Sequence, residues 1–452
     1  MGKKGKKVRI SQCMIVKNEE RNIEKALSWG KAVMWEQIVV DTGSTDRTVE
    51  LAQKLGAKVF YFPWKDDFSA AKNFAISKAR GEWIAFLDAD EYMEPGDALK
   101  MAEVIERISG DGFDGVSTGC QQIDDEGRIF ASGTQIRFFR NQSDVRYRRR
   151  IHEQLESITG RELRVGDVTR ELSVFHTGYQ NAEIEGKNKN ERNRRLILEE
   201  LREKPDNYEM MGYMGDECLG DGEKAEAEQW YRRAVEFMPL TLKSYDQRSA
   251  VTFTKLLRLL TEKETISWNE AEPLYQKAVE AFPEEADFDY IAGHFFASRG
   301  QAQPAVKHLE MAIGKLNAFG CYNKALLLAA NLLEAYDMLV RCFYDLGEDS
   351  KCMSYGAEYL KYDKYNMGVL SRVLKVLLSN GEKIKEKEHG TILDFFSKLY
   401  DFGSLKDRLF LVKAAERSEC QNFAGYAVRR LFTDEEREKL KLSTRGHGET
   451  VL

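Results

Sequence analysis

The sequence predicts an α/β domain built on a mostly parallel mixed sheet, followed by an all-α domain of helical repeats. Three observations predict it. Strand-like and helix-like periodicities alternate through the first hundred residues, the strands are continuous apolar runs, and beyond about Gln180 only helical patterns recur. Alternation of this kind implies parallel βαβ units. Continuous rather than alternating apolar runs fit strands covered on both faces. A chain of 452 residues suits two or three domains at about 100–200 residues each.

Taken in order, residues 8–16 predict a strand, a turn at Asn18-Glu19-Glu20, and a helix through Leu27. Residues 37–41 form a short apolar run ending in Thr-Gly-Ser-Thr-Asp, before a helix over 47–55. A strand at 58–62, a helix at 69–78 and a strand at 83–87 ending in Asp88-Ala-Asp90 complete the regular part. Residues 101–180 are less regular: a helix near 98–108, then strands at 115–120, 135–139 and 172–175. The domain is expected to occupy 1–180, with a charged connecting helix at 181–205 that stops at Pro205, helical repeats over 206–437 and a frayed polar tail at 438–452.

Composition narrows the function. Apolar residues make up 42% and charged residues 31%, enough for a sizeable core and unlike a disordered or collagen-like chain. Lys and Arg number 68 against 74 Asp and Glu, a net charge of −6, which speaks against a protein that coats nucleic acid. The seven cysteines include no C-x-x-C pair, so neither a disulfide framework nor a structural zinc site is expected, and a reducing cytoplasm is. Lys3, Lys4, Lys6 and Lys7 precede an apolar run too short and broken for a secretory signal. No stretch approaches the roughly 20 apolar residues of a membrane helix.

The sharpest chemical feature is Asp88-Ala-Asp90, followed by Glu91. Two carboxylates leaving a buried strand together can face one divalent cation and a nucleotide bound to it. Acidic turns after strands are common, however, and position decides between the readings. Here the polar residues gather at the carboxyl ends of the strands, where open α/β sheets place their ligand crevice. Asp41 ends the second strand, Asn18 and Glu19 follow the first, and Asp67-Phe-Ser-Ala-Ala-Lys-Asn73 opens the helix before the D-A-D strand. Carboxylates there can accept from a base or ribose, and Lys72 can face phosphates. For Ser44, Thr45 and Asp46, helix capping is the preferred account.

In the helical half, Ala271, Tyr275, Ala278 and Pro283 echo Ala227, Tyr231, Ala234 and Pro239, and Ala305 follows Ala271 by 34 positions. Gly293, Phe296, Gly300, Leu309 and Ala312 continue the pattern, with a degenerate unit around Phe343 and Gly347. Small residues let paired helices approach, and one aromatic per unit fills the gap between neighbours. These units resemble tetratricopeptide repeats, whose period is about 34 residues.

The words M-I-V-K-N-E-E, V-V-D-T-G-S-T-D, D-D-F-S-A-A-K-N and F-L-D-A-D-E together resemble the nucleotide-binding half of family-2 glycosyltransferases of the GT-A fold. The resemblance implies a UDP-sugar donor, with Asp41 at the uracil or ribose, Asp88 at the ribose, and Lys72 and Asn73 lining the nucleotide beside Asn18 and Glu19. It implies Mg²⁺ or Mn²⁺ held by Asp90 and completed by a late histidine, for which His176 in V-F-H-T-G-Y is the match. A satisfied core histidine is the alternative there. An inverting enzyme of this kind needs a base: Glu153 in R-I-H-E-Q is the first candidate and His152 its rival. Arg148, Arg149 and Arg150 would contact the pyrophosphate or form a solvated basic loop.

A GT-A domain followed by H-x-G-Y, a charged helix and such repeats is similar to a bacterial group that includes peptide S-glycosyltransferases of bacteriocins and flagellin glycosyltransferases. By that likeness the acceptor is a peptide or protein Cys, Ser or Thr docked on the repeats, and the sugar is a hexose or N-acetylhexosamine. Two alternatives remain. The acceptor is a cell-envelope glycolipid or polysaccharide, with the N-terminal lysines supplying weak peripheral membrane contact, or the repeats are an interaction scaffold beside an inactive transferase domain. Exposed repeat faces leave room for a homodimer.

Overall fold

The computed structural model describes residues 8–124, 126–177, 182–242, 246–320, 326–379 and 386–442. The expectations resting on Lys3, Lys4, Lys6, Lys7, Gly178, Tyr179 and Cys321 lie outside them. The chain divides into two compact units, 1–221 and 222–452.

The first unit opens with β1 (Ile10–Val16), α1 (Ile23–Ser28), β2 (Glu36–Asp41), α2 (Thr48–Lys54), β3 (Lys58–Tyr61), α3 (Phe68–Lys78) and β4 (Trp83–Phe86), the alternation expected from the periodicities. It continues through β5 (Glu91–Tyr92), α4 (Pro95–Ile108), β6 (Gly115–Ile123), β7 (Ile129–Arg140), β8 (Val145–Arg148), β9 (Gln154–Ser157), β10 (Val165–Asp167) and β11 (Ser173–His176). Two helices close it, α5 (Ala182–Glu203) and α6 (Tyr208–Gly220). The main sheet runs β3-β2-β1-β4-β7-β6-β11-β5, with β10 added on β6, and β8 pairs with β9 separately. Strands β1 to β4 are mutually parallel, β7 is antiparallel to β4, and β11 is parallel to β6.

Both faces of this sheet are covered at its centre, which is why β1, β2 and β4 carry buried apolar runs. Trp83 and Ala85 of β4 join Met101, Val104 and Ile105 of α4 on one face, and Ile84 and Phe86 meet Ala75 and Ile76 of α3 on the other. Helix α3 starts where it does because Asp67 accepts from the Ala70 amide at 2.8 Å, an N-cap bond. The order of β2, β1 and β4 reverses direction at β1, so a crevice is expected beyond the carboxyl ends of β1 and β4.

The boundary between compact units falls later than the change in sequence character at 180. Helices α5 and α6 pack on one another and are tied to the sheet domain by charge. Arg195 pairs with Asp66 at 2.6 Å, Arg150 with Glu203 at 2.5 Å, and Arg149 with Glu209. Arg149 and Arg150 thus anchor these helices, in neither of the two roles expected of them. The short strands β5, β8, β9 and β10 are absent from the expectation because each exists by pairing, β8 with β9 and the other two with distant strands, not by its own periodicity.

The second unit is helical: α7 (Lys224–Phe237), α8 (Gln247–Thr261), α9 (Trp268–Ala281), α10 (Asp287–Ser298), α11 (Ala302–Phe319), α12 (Leu326–Ala330) and α13 (Leu332–Asp345). It ends with α14 (Asp349–Tyr362), α15 (Met367–Leu377), α16 (Glu386–Phe396), α17 (Leu405–Arg417), α18 (Gln421–Leu431) and α19 (Asp434–Leu440). Residues 438–440, expected to fray, are the last turn of α19, which a Thr433–Glu436 capping box initiates. Ala271, Tyr275, Ala278, Ala305, Leu309 and Ala312 are all buried, as the repeat pattern requires. Gly293 explains the close approach of α10 and α11, since a Cβ there would stand 2.6 Å from Leu309 Cγ.

Two measurements check this packing. Gly293→Ala forces α10 from α11 and lowers stability by about 1–3 kcal/mol; an unchanged denaturation midpoint would contradict the close contact. Glu285 is buried, and burial together with the neighbouring Asp287 carboxylate raises its pKa to about 8. The folded state therefore keeps a proton that the unfolded chain has lost, so stability falls as pH rises from its ordinary value of 4.5 towards 8. Glu285→Gln raises the melting temperature at pH 8 and leaves it unchanged at pH 4; equal effects at both would contradict the assignment.

Candidate active site

A cleft of about 1010 Å³ opens in the first unit. Its lining includes Lys17, Glu19 and Thr42 after β1 and β2, Lys72 of α3, and 88–91 after β4, with 151–155, His176, and residues of α5 and α6. The strand ends thus converge on one cavity of a size that holds a small-molecule ligand.

Its floor is a charge network in which Lys72, Arg137 and Glu91 are buried. Lys72 is 3% exposed and meets Asp88 Oδ1 at 3.3 Å and Glu153 Oε1 at 2.5 Å. Arg137 meets Asp88 Oδ2 at 3.1 Å and also pairs with Glu91, which is 2% exposed. Burial opposes ionisation of the Asp88 carboxyl, but Lys72 and Arg137 overcome it and hold Asp88 well below the usual carboxylate range. Burial likewise opposes the Lys72 ammonium, and Asp88 and Glu153 reverse the effect and raise its pKa. For Glu91 burial prevails, and its pKa is raised despite Arg137.

Arg137 was not foreseen, and its position depends on a bulge. Val116 of β6 opposes Phe138 while the next residue, Ser117, opposes Ile136, so Arg137 is the extra residue on β7. A bulge re-aims a side chain in this way. The sequence signal was a lone arginine inside the apolar run Ile136-Arg137-Phe138-Phe139.

Register explains the second pair. Strand β11 aligns His176 with Glu91 on β5 and with Gln122 on β6. His176 Nδ1 lies 2.5 Å from Gln122 Oε1, and its Nε2 lies 3.0 Å from Asp90 Oδ2. The Thr177 amide and hydroxyl both donate to the Asp90 carbonyl at 3.0 Å. With the Nδ1 proton given to Gln122, Nε2 and a carboxylate oxygen face each other, an arrangement that calls for a proton or a cation between them. Burial alone would lower the His176 pKa, but the bond to Asp90 and the charges of Asp90, Glu91 and Asp88 together raise it. Donor atoms 3.0 Å apart also match neighbouring ligands of an octahedral ion with bonds of about 2.1 Å. A carboxylate and an imidazole steadied by Gln122 form a donor set that suits a divalent cation.

The other expected residues divide into two groups. Glu19, Lys72, Asp88, Asp90, His152, Glu153 and His176 line the cleft together. Asn18, Asp41 and Asn73 are not among its lining residues; they hold backbone. Asn18 accepts from the Thr45 amide at 2.7 Å, and Asp41 accepts from the Gly43 and Ser44 amides at 3.2 and 3.1 Å. Asn73 clamps Tyr147 through both of its backbone groups at 2.9 Å. Of the expected caps, Asp46 accepts from the Thr48 amide at 3.0 Å, whereas Ser44 accepts from the Asn18 amide. His152 has a positive φ of 51° and stacks on Tyr213 of α6, ring centroids 3.7 Å apart. Tyr213, and Lys189, Arg192 and Asn193 of α5, reach the cleft from helices that sequence patterning left as a connector and a repeat.

Residues 11–162 match the family described as Glycosyl transferase family 2. A TPR repeat-containing protein of Synechococcus elongatus is 28% identical over 65% of this chain and 72% of its own length. The SPbeta prophage-derived glycosyltransferase SunS of Bacillus subtilis is 32% identical over 49% of this chain and 52% of its own length, so the chain matches about half of that relative. Among solved structures, S. aureus TarS 1–349 in complex with UDP-GlcNAc aligns with 61% of this chain and 90% of its own, at 15% identity and TM-score 0.34.

If Arg137 balances the buried carboxylates, Arg137→Met leaves Glu91 uncompensated and costs about 3–5 kcal/mol in chemical denaturation. The double variant Arg137→Met/Glu91→Leu should recover most of that loss. No recovery would show that the two residues are not energetically coupled.

Proposed function

We propose, from the premise that residues 11–162 are a glycosyl transferase family 2 domain, that the protein is an inverting, metal-dependent glycosyltransferase. It moves a hexose or N-acetylhexosamine from a UDP-sugar to a Cys, Ser or Thr side chain of a peptide or protein. The observation that carries this is the Asp90–His176 pair, 3.0 Å apart, at the mouth of a cleft floored by Asp88, Lys72 and Arg137. A divalent cation held by Asp90 and His176 would offset charge developing on a departing diphosphate.

The chain's own groups divide the remaining work. Asp88, fixed by Lys72 and Arg137, is the acceptor for a ribose hydroxyl, and Asp41 with its turn, Asn18 and Glu19 shape the nucleoside end. Asn73 supports that pocket by holding the Tyr147 backbone. An inverting displacement requires the acceptor to attack opposite the leaving group, with a base in reach of its proton. Glu153 is the first choice, because it lines the cleft and is oriented by Lys72 at 2.5 Å. His152, steadied against Tyr213, is the rival. The helical unit is the proposed dock for the acceptor, since stacked helical hairpins form grooves that take peptides.

The domain limits belong to the same proposal: a catalytic region over 1–180, a connecting helix over 181–205 and repeats over 206–437. Among the described residues no helix is long and apolar enough to cross a membrane.

Asp90→Ala and His176→Ala should each lower transfer at least a hundred-fold, on the order of losing a transition-state charge contact. Both should abolish a Mn²⁺-dependent thermal shift while the fold persists. The direct test is mass spectrometry of protein incubated with a panel of UDP-sugars and candidate peptides. A gain of one hexosyl or N-acetylhexosaminyl group on Cys, Ser or Thr is expected; full turnover by Asp90→Ala would remove the metal from the account.

A further inference from the structure

Charge accounting in the cleft singles out a residue beyond the family-matching segment. Among the described lining residues the cations are Lys17, Lys72, Arg137, Lys189 and Arg192. Lys72 and Arg137 are already matched by Asp88, Glu153 and Glu91, so an entering dianion gains little from them. Lys17 and Lys189 are exposed, where water screens them.

Arg192 of α5 is different. It has no carboxylate within ion-pair distance among the described residues. Its contacts are Asn193 Oδ1 at 3.0 Å and the Phe68 ring at 5.2 Å. Its Nε is buried and donates to nothing there. A guanidinium with an unspent donor, set over an aromatic face and unmatched by a carboxylate, is suited to binding a phosphate. Burial depresses its pKa, more than the distant Glu217 restores, as expected of a cation whose partner is a ligand rather than a side chain. The nearby Arg195 is satisfied by Asp66 and Glu199.

We propose that Arg192 binds the diphosphate of the donor nucleotide, so that helix α5 completes the donor site. The inference rests on the transferase reading above. It makes helix α5 part of the donor site rather than a mere connector to the repeats.

Calorimetric titration of the full-length protein with UDP and with uridine, Mn²⁺ present, tests it. Arg192→Gln should weaken UDP binding about ten-fold, the scale of a lost charge-assisted hydrogen bond, and leave uridine affinity unchanged. Arg192→Lys should fall between. UDP affinity within two-fold of wild type would overturn the inference and leave the transferase reading intact. Parallel weakening of UDP and uridine would overturn it as well, marking a structural role, which the melting temperature of each variant would corroborate. A wild-type protein that binds neither compound would overturn the transferase reading, and the inference with it.

Discussion

Everything at the cleft depends on two buried cations that share one aspartate. Lys72 and Arg137 approach Asp88 from opposite oxygens, at 3.3 and 3.1 Å, and each carries a second carboxylate, Glu153 or Glu91. Lys72, Arg137 and Glu91 would not be tolerable alone at their burial. Together they fix the chain where β4 ends, and the Asp88 amide, donating to Glu91 at 3.0 Å, locks the turn that presents Asp90. The pair lining the cleft, Asp90 and His176, is thus set on a rigid support rather than on a loose loop.

This arrangement separates residues that hold backbone from residues left for a ligand. Asp41, Asn18 and Asn73 spend their hydrogen bonds on nearby amides and on β8. On the proposed reading, they shape the nucleoside end of the donor site. The side chains in the cleft come instead from α3, from the ends of β4 and β11, from the β8–β9 connection, and from α5 and α6. On the proposed reading, donor binding and acceptor activation share one wall, because Lys72 touches both Asp88 and Glu153.

The sequence made the local structure legible. Elements from β1 to β4 follow from hydrophobic period and capping alone, since each is shaped by neighbours within a few residues. Asp88, Asp90, Lys72, Glu153 and His176 were legible as candidates because they stand in recognisable words, Asp88, Asp90 and His176 at strand ends, Lys72 in α3 and Glu153 between β8 and β9. Arg137 was hidden, because a bulge is a property of two paired strands and leaves no period in either. The partnership of His176 with Gln122 was hidden for the same reason: it needs the register of β6 against β11. Arg192 lay in a helix whose charged pattern resembles a solvated linker, and only the tertiary placement of α5 shows which of its charges is spent and which is not.

The central claim is that a cation bridges the end of β4 and the end of β11. Anomalous scattering from crystals grown with Mn²⁺ and UDP tests it most directly. The account predicts one strong manganese peak between Asp90 Oδ2 and His176 Nε2, about 2.1–2.2 Å from each, with diphosphate oxygens completing its shell. Nucleotide bound in the cleft with no metal there, or with manganese held by other residues, would contradict it.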